Sequence, residues 1–293
     1  MNRTDNRIPT TLQEQASFQE LLAGFLGTRK KIGIPADGSR IFLAADHHMF
    51  HTNILQHCPE RGRLFPTAED MNDRLVDLHN QTVEDADIVI FAGDYLMKGR
   101  AGNPLFTNND DRIASMGILT RRMKGKKYFI RGNHDKFPEC DYLQAGFAAF
   151  GDYAVLAAPG VSAGVLPPAD TSACVDAGHL PPQDVPVPID TEALPAAGEE
   201  LLLLHSPKDI VNLWFKAQKH VPLDDIPNGY AECKEDIEAI PGRYLCAHIH
   251  QMWRHLGPFV NVGLDVWGMR PVLLDQAALS FGEPSTVLVN IGS

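Results

Sequence analysis

Five short polar clusters combine the residue types that ligate metals: Asp46-His47-His48, Gly93-Asp94, Arg131-Gly132-Asn133-His134-Asp135, His205 and His248-Ile249-His250. Asp46 and His48 are two apart, as are His248 and His250, so in extended chain each pair projects to one side, with His47 and Ile249 pointing away. The two cations of a hydrolytic centre sit roughly 3.5–4 Å apart. A pair of neighbouring side chains at i and i+2 can reach one or both of them. Asp94, at the end of an apolar run, has two oxygens with which to bridge two ions, and Gly93 lets the backbone turn tightly into such a site. The chemistry on offer is metal-assisted hydrolysis.

These clusters share a position. Each follows an apolar run, at 41–45, 88–92, 128–130, 201–204 and 244–247, and a further run lies at 259–262. Runs this short and apolar on both faces suit strands buried inside a layered sheet. The spacing predicts helices between them: one over 68–83, capped by Thr67 with Asp70 and apolar at Met71, Leu75 and Leu78, and one over 110–124, stopped by Gly125. A short helix is expected near 233–240. Strands alternating with helices give an α/β layered fold. In such sheets ligands bind beyond the carboxyl ends of the strands, so five strand ends can deliver their polar residues to one rim.

Outside this pattern lie two additions. Residues 10–27 read as a helix, with Thr11 and Glu14 as a capping box and Leu12, Leu22, Phe25 and Leu26 on one face. They belong to an N-terminal helical extension, 1–39, ahead of the main domain, 40–293. The stretch 156–199 is rich in Pro, Ala and Gly and reads as an insertion, either a surface excursion or a flap beside the substrate.

Composition narrows the partners. The 293 residues carry a formal net charge of -11, which argues against an extended nucleic-acid surface but leaves room for a small phosphorylated substrate, because bound cations reverse the local field. Five cysteines, none in CxxC spacing, make a disulfide framework or thiolate zinc site a poor expectation and a reducing compartment the better one. The opening MNRTDNRIPTTLQEQ has no signal-peptide stretch, and no run approaches the ~20 apolar residues that span a bilayer. A cytoplasmic protein without a membrane segment is expected.

The ordered series D-x-H (46–48), G-D (93–94), G-N-H-D (132–135), His205 and H-x-H (248–250) resembles the calcineurin-like metallophosphoesterases over about 40–275. The longer forms Asp46-His47-His48-Met49-Phe50-His51-Thr52-Asn53-Ile54 and Val260-Asn261-Val262-Gly263-Leu264-Asp265 are similar to a bacterial branch of small cytosolic phosphoesterases. The resemblance implies two facing mixed β-sheets flanked by helices, a four-layer sandwich with its site at one edge. It implies one metal on Asp46, His48 and His250, another on Asn133, His205 and His248, and Asp94 shared. His134 would sit beside the phosphate, oriented by Asp135. The residues themselves leave Arg131 as either a phosphate contact or a surface ion pair, and His51 and Asn53 as contacts to phosphate, support for Asp46 or local turn residues. One position departs: the family has Gly before H-x-H, and here it is Ala247.

The expected reaction is hydrolysis of a phosphodiester through a hydroxide held between two divalent ions, with His134 as general acid toward the leaving oxygen. The mixed His, Asn and carboxylate set suits manganese first, with iron, zinc or nickel as substitutes. A phosphomonoesterase or nucleotide pyrophosphatase is the alternative within the same fold. A scaffold that has lost catalysis would lack ligands or His134, and a mononuclear iron oxygenase needs three ligands where this chain offers seven. His57, His79, His179, His220 and His255 read as structural. Tyr95, Trp214, Phe215, Trp253 and Trp267 read as core before pocket. Asn261 and Asp265 are expected to stabilise the strand after H-x-H. Natural substrate and oligomeric state are not legible.

Overall fold

The computed structural model describes residues 12–97, 108–159, 199–218 and 233–287. Its strands form two mixed sheets. In the first, β2 (Ile41–Ala44), β3 (Ile88–Phe91), β4 (Lys126–Ile130) and β5 (Ala149–Gly151) run parallel, and β11 (Val272–Leu273) joins antiparallel at the edge, in the order β11-β2-β3-β4-β5. The second contains β1 (Lys31–Ile32), β6 (Tyr153–Ala157), β7 (Glu200–Leu204), β8 (Tyr244–Cys246), β9 (Trp253–Leu256), β10 (Phe259–Asn261) and β12 (Thr286–Val287), ordered β1-β6-β7-β8-β10-β9-β12.

Both faces of each sheet are covered, and the strand alternation shows how. Leu43, Ala45, Ile88 and Ile90 of the first sheet share one buried cluster with Leu201, Leu203, Leu245 and Val260 of the second, so this layer lies between the sheets. The opposite faces carry helices. Phe42, Ala44, Val89 and Phe91 pack with Met71 and Leu75 of α4 (Ala68–Thr82) and Met116 of α5 (Asn109–Arg122). Leu202, Leu204, Tyr244 and Cys246 pack with Trp214 and Phe215 of α7 (Pro207–Ala217). The result is the expected helix–sheet–sheet–helix sandwich. Shorter helices α2 (Ile54–His57), α3 (Pro59–Leu64) and α6 (Glu139–Ala145) fill the connections.

The N-terminal helix is α1 (Leu12–Gly27), and it is packed rather than splayed. Phe18 is fully buried and meets the Trp214 ring edge-on at 5.5 Å, with Leu22 and Leu26 beside it. Leu12, expected on the same face, is instead 86% exposed, because the helix buries only the face that follows Phe18. Thr11 lies outside the described residues, as do 160–198 of the expected insertion. The end of α1 is held from below: Asp152 takes the Lys30 amide on its carboxylate at 2.8 Å and returns its own amide to the Lys30 carbonyl at 2.7 Å.

The α4 cap forms as read, with the Asp70 amide on Thr67 Oγ1 at 3.1 Å and that hydroxyl donating to Asp70 Oδ2 at 2.8 Å. Helix α5 ends at Arg122, short of Gly125, whose φ of 82° serves the turn into β4 instead. Strands β1, β5, β6, β9, β11 and β12 were not among the expected runs. Most are short, edge or polar-flanked pieces such as Trp253-Arg254-His255-Leu256, whereas β6 is an apolar run inside its sheet whose last two residues, Leu156 and Ala157, fall in the stretch expected to be an insertion.

Candidate metal centre

The loops after β2, β3, β4, β7 and β8 meet at one edge of the sandwich. Three ligand atoms from Asp46, His48 and His250 lie within 4.8 Å of one another, and so do three from Asp94, His205 and His248. The two groups adjoin: His48 Nε2 is 3.8 Å from Asp94 Oδ2, and the His48 ring stacks on that of His250 at 5.0 Å. Asn133 joins the second group, its Oδ1 2.9 Å from His205 Nε2. All seven expected ligands are therefore brought together.

This convergence requires unusual backbone. Asp46, His48, Asp94, His248 and His250 have φ of 58°, 49°, 53°, 75° and 47°, a region that non-glycine residues rarely occupy. Five of seven candidate ligands thus sit in a conformation that costs of order 1–3 kcal/mol each and persists only where the surroundings impose it. Ala247 is not among the left-handed residues, so the Gly-to-Ala departure carries no backbone penalty; Ala247 is buried and gives its amide to the His205 carbonyl at 2.8 Å.

The imposition is visible in the hydrogen bonds. The Asp46 amide donates to Gly93 O at 3.0 Å and the His48 amide to Asp94 O at 2.9 Å, locking the first loop to the second. Asp46 Oδ2 takes the His248 amide at 3.0 Å, and Asp94 Oδ1 takes the His134 amide at 2.8 Å. Gly132 must be glycine: a Cβ there would stand 2.2 Å from Asp94 Oδ1. At Gly93 (φ 94°) a Cβ would meet His205 Nδ1 at 2.4 Å.

Asp135, next to His134 in the GNHD loop, is buried. Its carboxylate accepts the Asp94 and Gly132 amides at 2.7 Å each, the Tyr95 amide at 3.2 Å and the Tyr142 hydroxyl at 3.2 Å. It therefore fastens the GNHD loop to the Asp94 loop, and its influence on His134 runs through backbone rather than through the imidazole. Burial and the Asp94 charge push its carboxyl up to about 6.

Two residues that the sequence reading undervalued buttress the first group. Arg61 of α3 is completely buried and forks onto Asp265, Nε to Oδ1 at 2.7 Å and Nη2 to Oδ2 at 2.9 Å. It also donates to the Asp46 and His47 carbonyls. Asp265, expected to stabilise a strand, takes His250 Nδ1 at 2.8 Å, leaving Nε2 for the site. Asn261 holds the H-x-H turn, its Nδ2 on the His250 carbonyl at 2.7 Å. Cys58 also lies near His250 and Asp265, but the Arg61 guanidinium beside that group opposes a cation there.

Electrostatics separates the histidines. Burial drives His48 well below its ordinary value, and burial plus the His205 charge takes His248 down to about 4; both are neutral imidazoles near pH 7. For His205, burial is outweighed by the Asp94 carboxylate, which lifts it to about 9. For His250, burial is outweighed by the Asp265 hydrogen bond, which lifts it to about 11. Burial raises the Asp46 carboxyl; at Asp94, burial works the same way but the adjoining histidines win and hold it low.

These residues fit divalent ions. Both ring nitrogens of His48 are buried without a hydrogen-bond partner, a cost that a bound cation would relieve at the nitrogen that ligates it. His205 gives Nδ1 to the Ala92 carbonyl at 2.7 Å, aiming Nε2 at Asn133 and Asp94 as a ligating histidine does.

His134 stands at the open side, 40% exposed, its Nε2 3.9 Å from Asp94 Oδ2 and its ring 5.4 Å from that of His48. His51 is close by, its ring 5.5 Å from that of His48, and burial followed by the His134 charge lowers it to about 4. Asn53 is exposed and its side chain makes no cap bond to α2, so nothing in the described contacts ties it to the site. Arg131 stacks over the Phe150 ring at 4.8 Å, with Nε 3.6 Å from Asp152. It borders a cleft of about 190 Å³ that opens on Asn133 and His205 and is walled by Phe25, Arg29, Asp152, Tyr153, Leu204, Ser206 and Asp209. Tyr95, Trp214, Phe215 and Trp253 are core, and Trp267 gives its Nε1 to the Asn261 carbonyl at 2.7 Å. His79 and His255 bond backbone carbonyls, His57 is exposed, and His179 and His220 lie outside the described residues.

The family comparison agrees with this architecture. A family model described as calcineurin-like phosphoesterase matches residues 39–252. An uncharacterized protein of Methanocaldococcus jannaschii is 35% identical over 100 residues, which span 34% of this chain and 49% of the relative, about half its length. Among solved structures, a protein of unknown function from Aquifex aeolicus aligns with a TM-score of 0.44 and 15% identity, covering 82% of this chain and 97% of that one. The strand-end ligand series lies wholly within the matched span, and the chain belongs to the calcineurin-like phosphoesterase family.

Proposed function

We propose that the chain hydrolyses phosphodiesters with two divalent cations, manganese first among them, held by Asp46, His48 and His250 on one side and Asn133, His205 and His248 on the other, with Asp94 between. The observation that carries this reading is that the two ligand groups adjoin, His48 Nε2 of one lying 3.8 Å from Asp94 Oδ2 of the other, so that ions held by each group would be neighbours. Bound there, the cations would polarise phosphate oxygens and acidify water. The chain's own residues do the rest. His134, half open to solvent and held by its amide on Asp94, gives a proton to the leaving oxygen. Asn133 contributes a neutral oxygen, which limits the negative charge that an anionic substrate meets. His51, kept neutral by burial and by the neighbouring His134, lines the same side, and Arg131 neutralises charge at the cleft mouth. The substrate is a small phosphorylated molecule in a reducing, cytoplasmic setting. Among the described residues no helix is long and apolar enough to cross a membrane.

The test is hydrolysis of bis(p-nitrophenyl) phosphate by Mn²⁺-loaded protein, with metal content measured on the same sample. Turnover with two ions per chain supports the reading. One ion per chain without turnover points to a mononuclear centre, and none to a scaffold.

A further inference from the structure

The cleft beside Asn133 and His205 is walled in part by the N-terminal extension, which sequence alone left without a role, and in part by the start of α7. Phe25 and Arg29 come from α1 and the turn after it; Ser206 and Asp209 come from the start of α7. The wall is fixed in place. Phe18 anchors α1 against Trp214, and the Lys30–Asp152 pair of backbone bonds sets the turn that carries Arg29. Arg29 lies flat over the Phe25 ring at 3.4 Å with Nη1 on the Phe25 carbonyl at 3.2 Å, and Arg131 lies over the Phe150 ring at 4.8 Å with Nε 3.6 Å from Asp152, so both guanidinium groups are held in place at the cleft wall.

The lining has a definite chemical character. Phe25, Tyr153 and Leu204 offer apolar surface, while Arg29 and Arg131 are balanced by Asp152 and Asp209. Two cations against two carboxylates disfavour a second phosphate in the cleft. Aromatic surface edged by both donors and acceptors suits a neutral, flat heterocycle with hydrogen-bonding edges. The volume, about 190 Å³, is below the roughly 300–1,000 Å³ of pockets for drug-sized ligands and matches one ring system rather than an oligomer. The net charge of -11 likewise disfavours a long polyanion.

We infer that this cleft receives the base of a mononucleotide whose phosphate lies on the metal ligands, and that Phe25 and Arg29 determine selectivity for it. The inference rests on the phosphoester reading above for the position of the phosphate. Aromatic contact with a base is worth ~1–3 kcal/mol by alanine substitution, on the order of tenfold in affinity.

The test is calorimetric binding of adenosine 5′-monophosphate, ribose 5-phosphate and inorganic phosphate to the Mn²⁺-loaded full chain. The expected result is binding of the nucleotide about tenfold tighter than ribose 5-phosphate, a preference that largely disappears in Phe25→Ala and shrinks in Arg29→Ala. Ribose 5-phosphate affinity should be unchanged in both variants, which reports that the phosphate site is intact. Equal affinity for the nucleotide and the sugar phosphate overturns the inference, as does a preference that survives both substitutions or a uniform loss of all three ligands. Base-dependent binding in a protein that hydrolyses no phosphodiester would retain the cleft and remove the phosphodiesterase reading. Hydrolysis without base-dependent binding would do the reverse.

Discussion

The two halves of the metal centre are built differently. The half formed by Asp46, His48 and His250 is sealed: Asp46 and His48 are almost wholly buried, and Arg61 with Asp265 braces the group from beneath through charge and backbone carbonyls together. The half formed by Asn133, His205 and His248 has lighter support, chiefly the Ala92 carbonyl on His205, and it faces the cleft and His134. The contrast assigns separate duties. A braced, desolvated group holds an ion tightly, while a group at the cleft wall can exchange ligands with substrate.

The largest effect should come from the residue that belongs to both halves. Asp94→Ala should reduce Mn²⁺ content from two ions to less than one per chain by elemental analysis; a variant keeping two would show that the halves are independent. His134→Ala comes next, with the rate on an aryl phosphodiester falling by about 10²–10⁴-fold while metal content stays at two. A full rate in that variant removes His134 from proton transfer.

Smaller and more selective is Asp265→Asn, which keeps the shape but weakens the hold on His250. Affinity at the sealed half should drop by about 10–100-fold, with the cleft-side half nearly unaffected in a competition titration against a chelator. Equal weakening of both would erase the distinction. The smallest effect is on protons. His205 is raised to about 9 and His250 to about 11, so at pH 7.5 both are protonated without metal and each must shed a proton to bind one. Affinity at the cleft-side half should therefore climb as pH rises from 7 and level off above about 9. Calorimetry in buffers of different ionisation enthalpy counts the protons released; fewer than two on filling both halves would mean that one of these histidines is neutral beforehand.

The site was far more legible in sequence than its supports. Each ligand directly follows a strand made of an apolar run, so local pattern placed Asp46, Asp94, Asn133, His205 and the 248–250 pair at strand ends, and topology did the rest. Arg61 was invisible for the opposite reason. It lies in a short polar helix, Pro59–Leu64, and its partner Asp265 is 204 residues away in sequence, so only the folded chain reveals the pairing. The place of Asp135 was not legible either, because the loop turns its carboxylate inward onto amides of the Asp94 loop, about 40 residues away in sequence. The extension likewise looked detachable because Phe18 meets Trp214 only across a gap of nearly 200 residues. Edge strands such as β1, two residues long, carry no periodicity to detect.

The central claim is that strand ends from both sheets form one centre with room for two ions. Diffraction from Mn²⁺-soaked crystals, with anomalous data at the manganese edge, tests it most directly. The account predicts two peaks roughly 3.5–4 Å apart, one among Asp46, His48 and His250, the other among Asn133, His205 and His248, with Asp94 touching both. A single peak, or two peaks with Asp94 bound to neither, would contradict it.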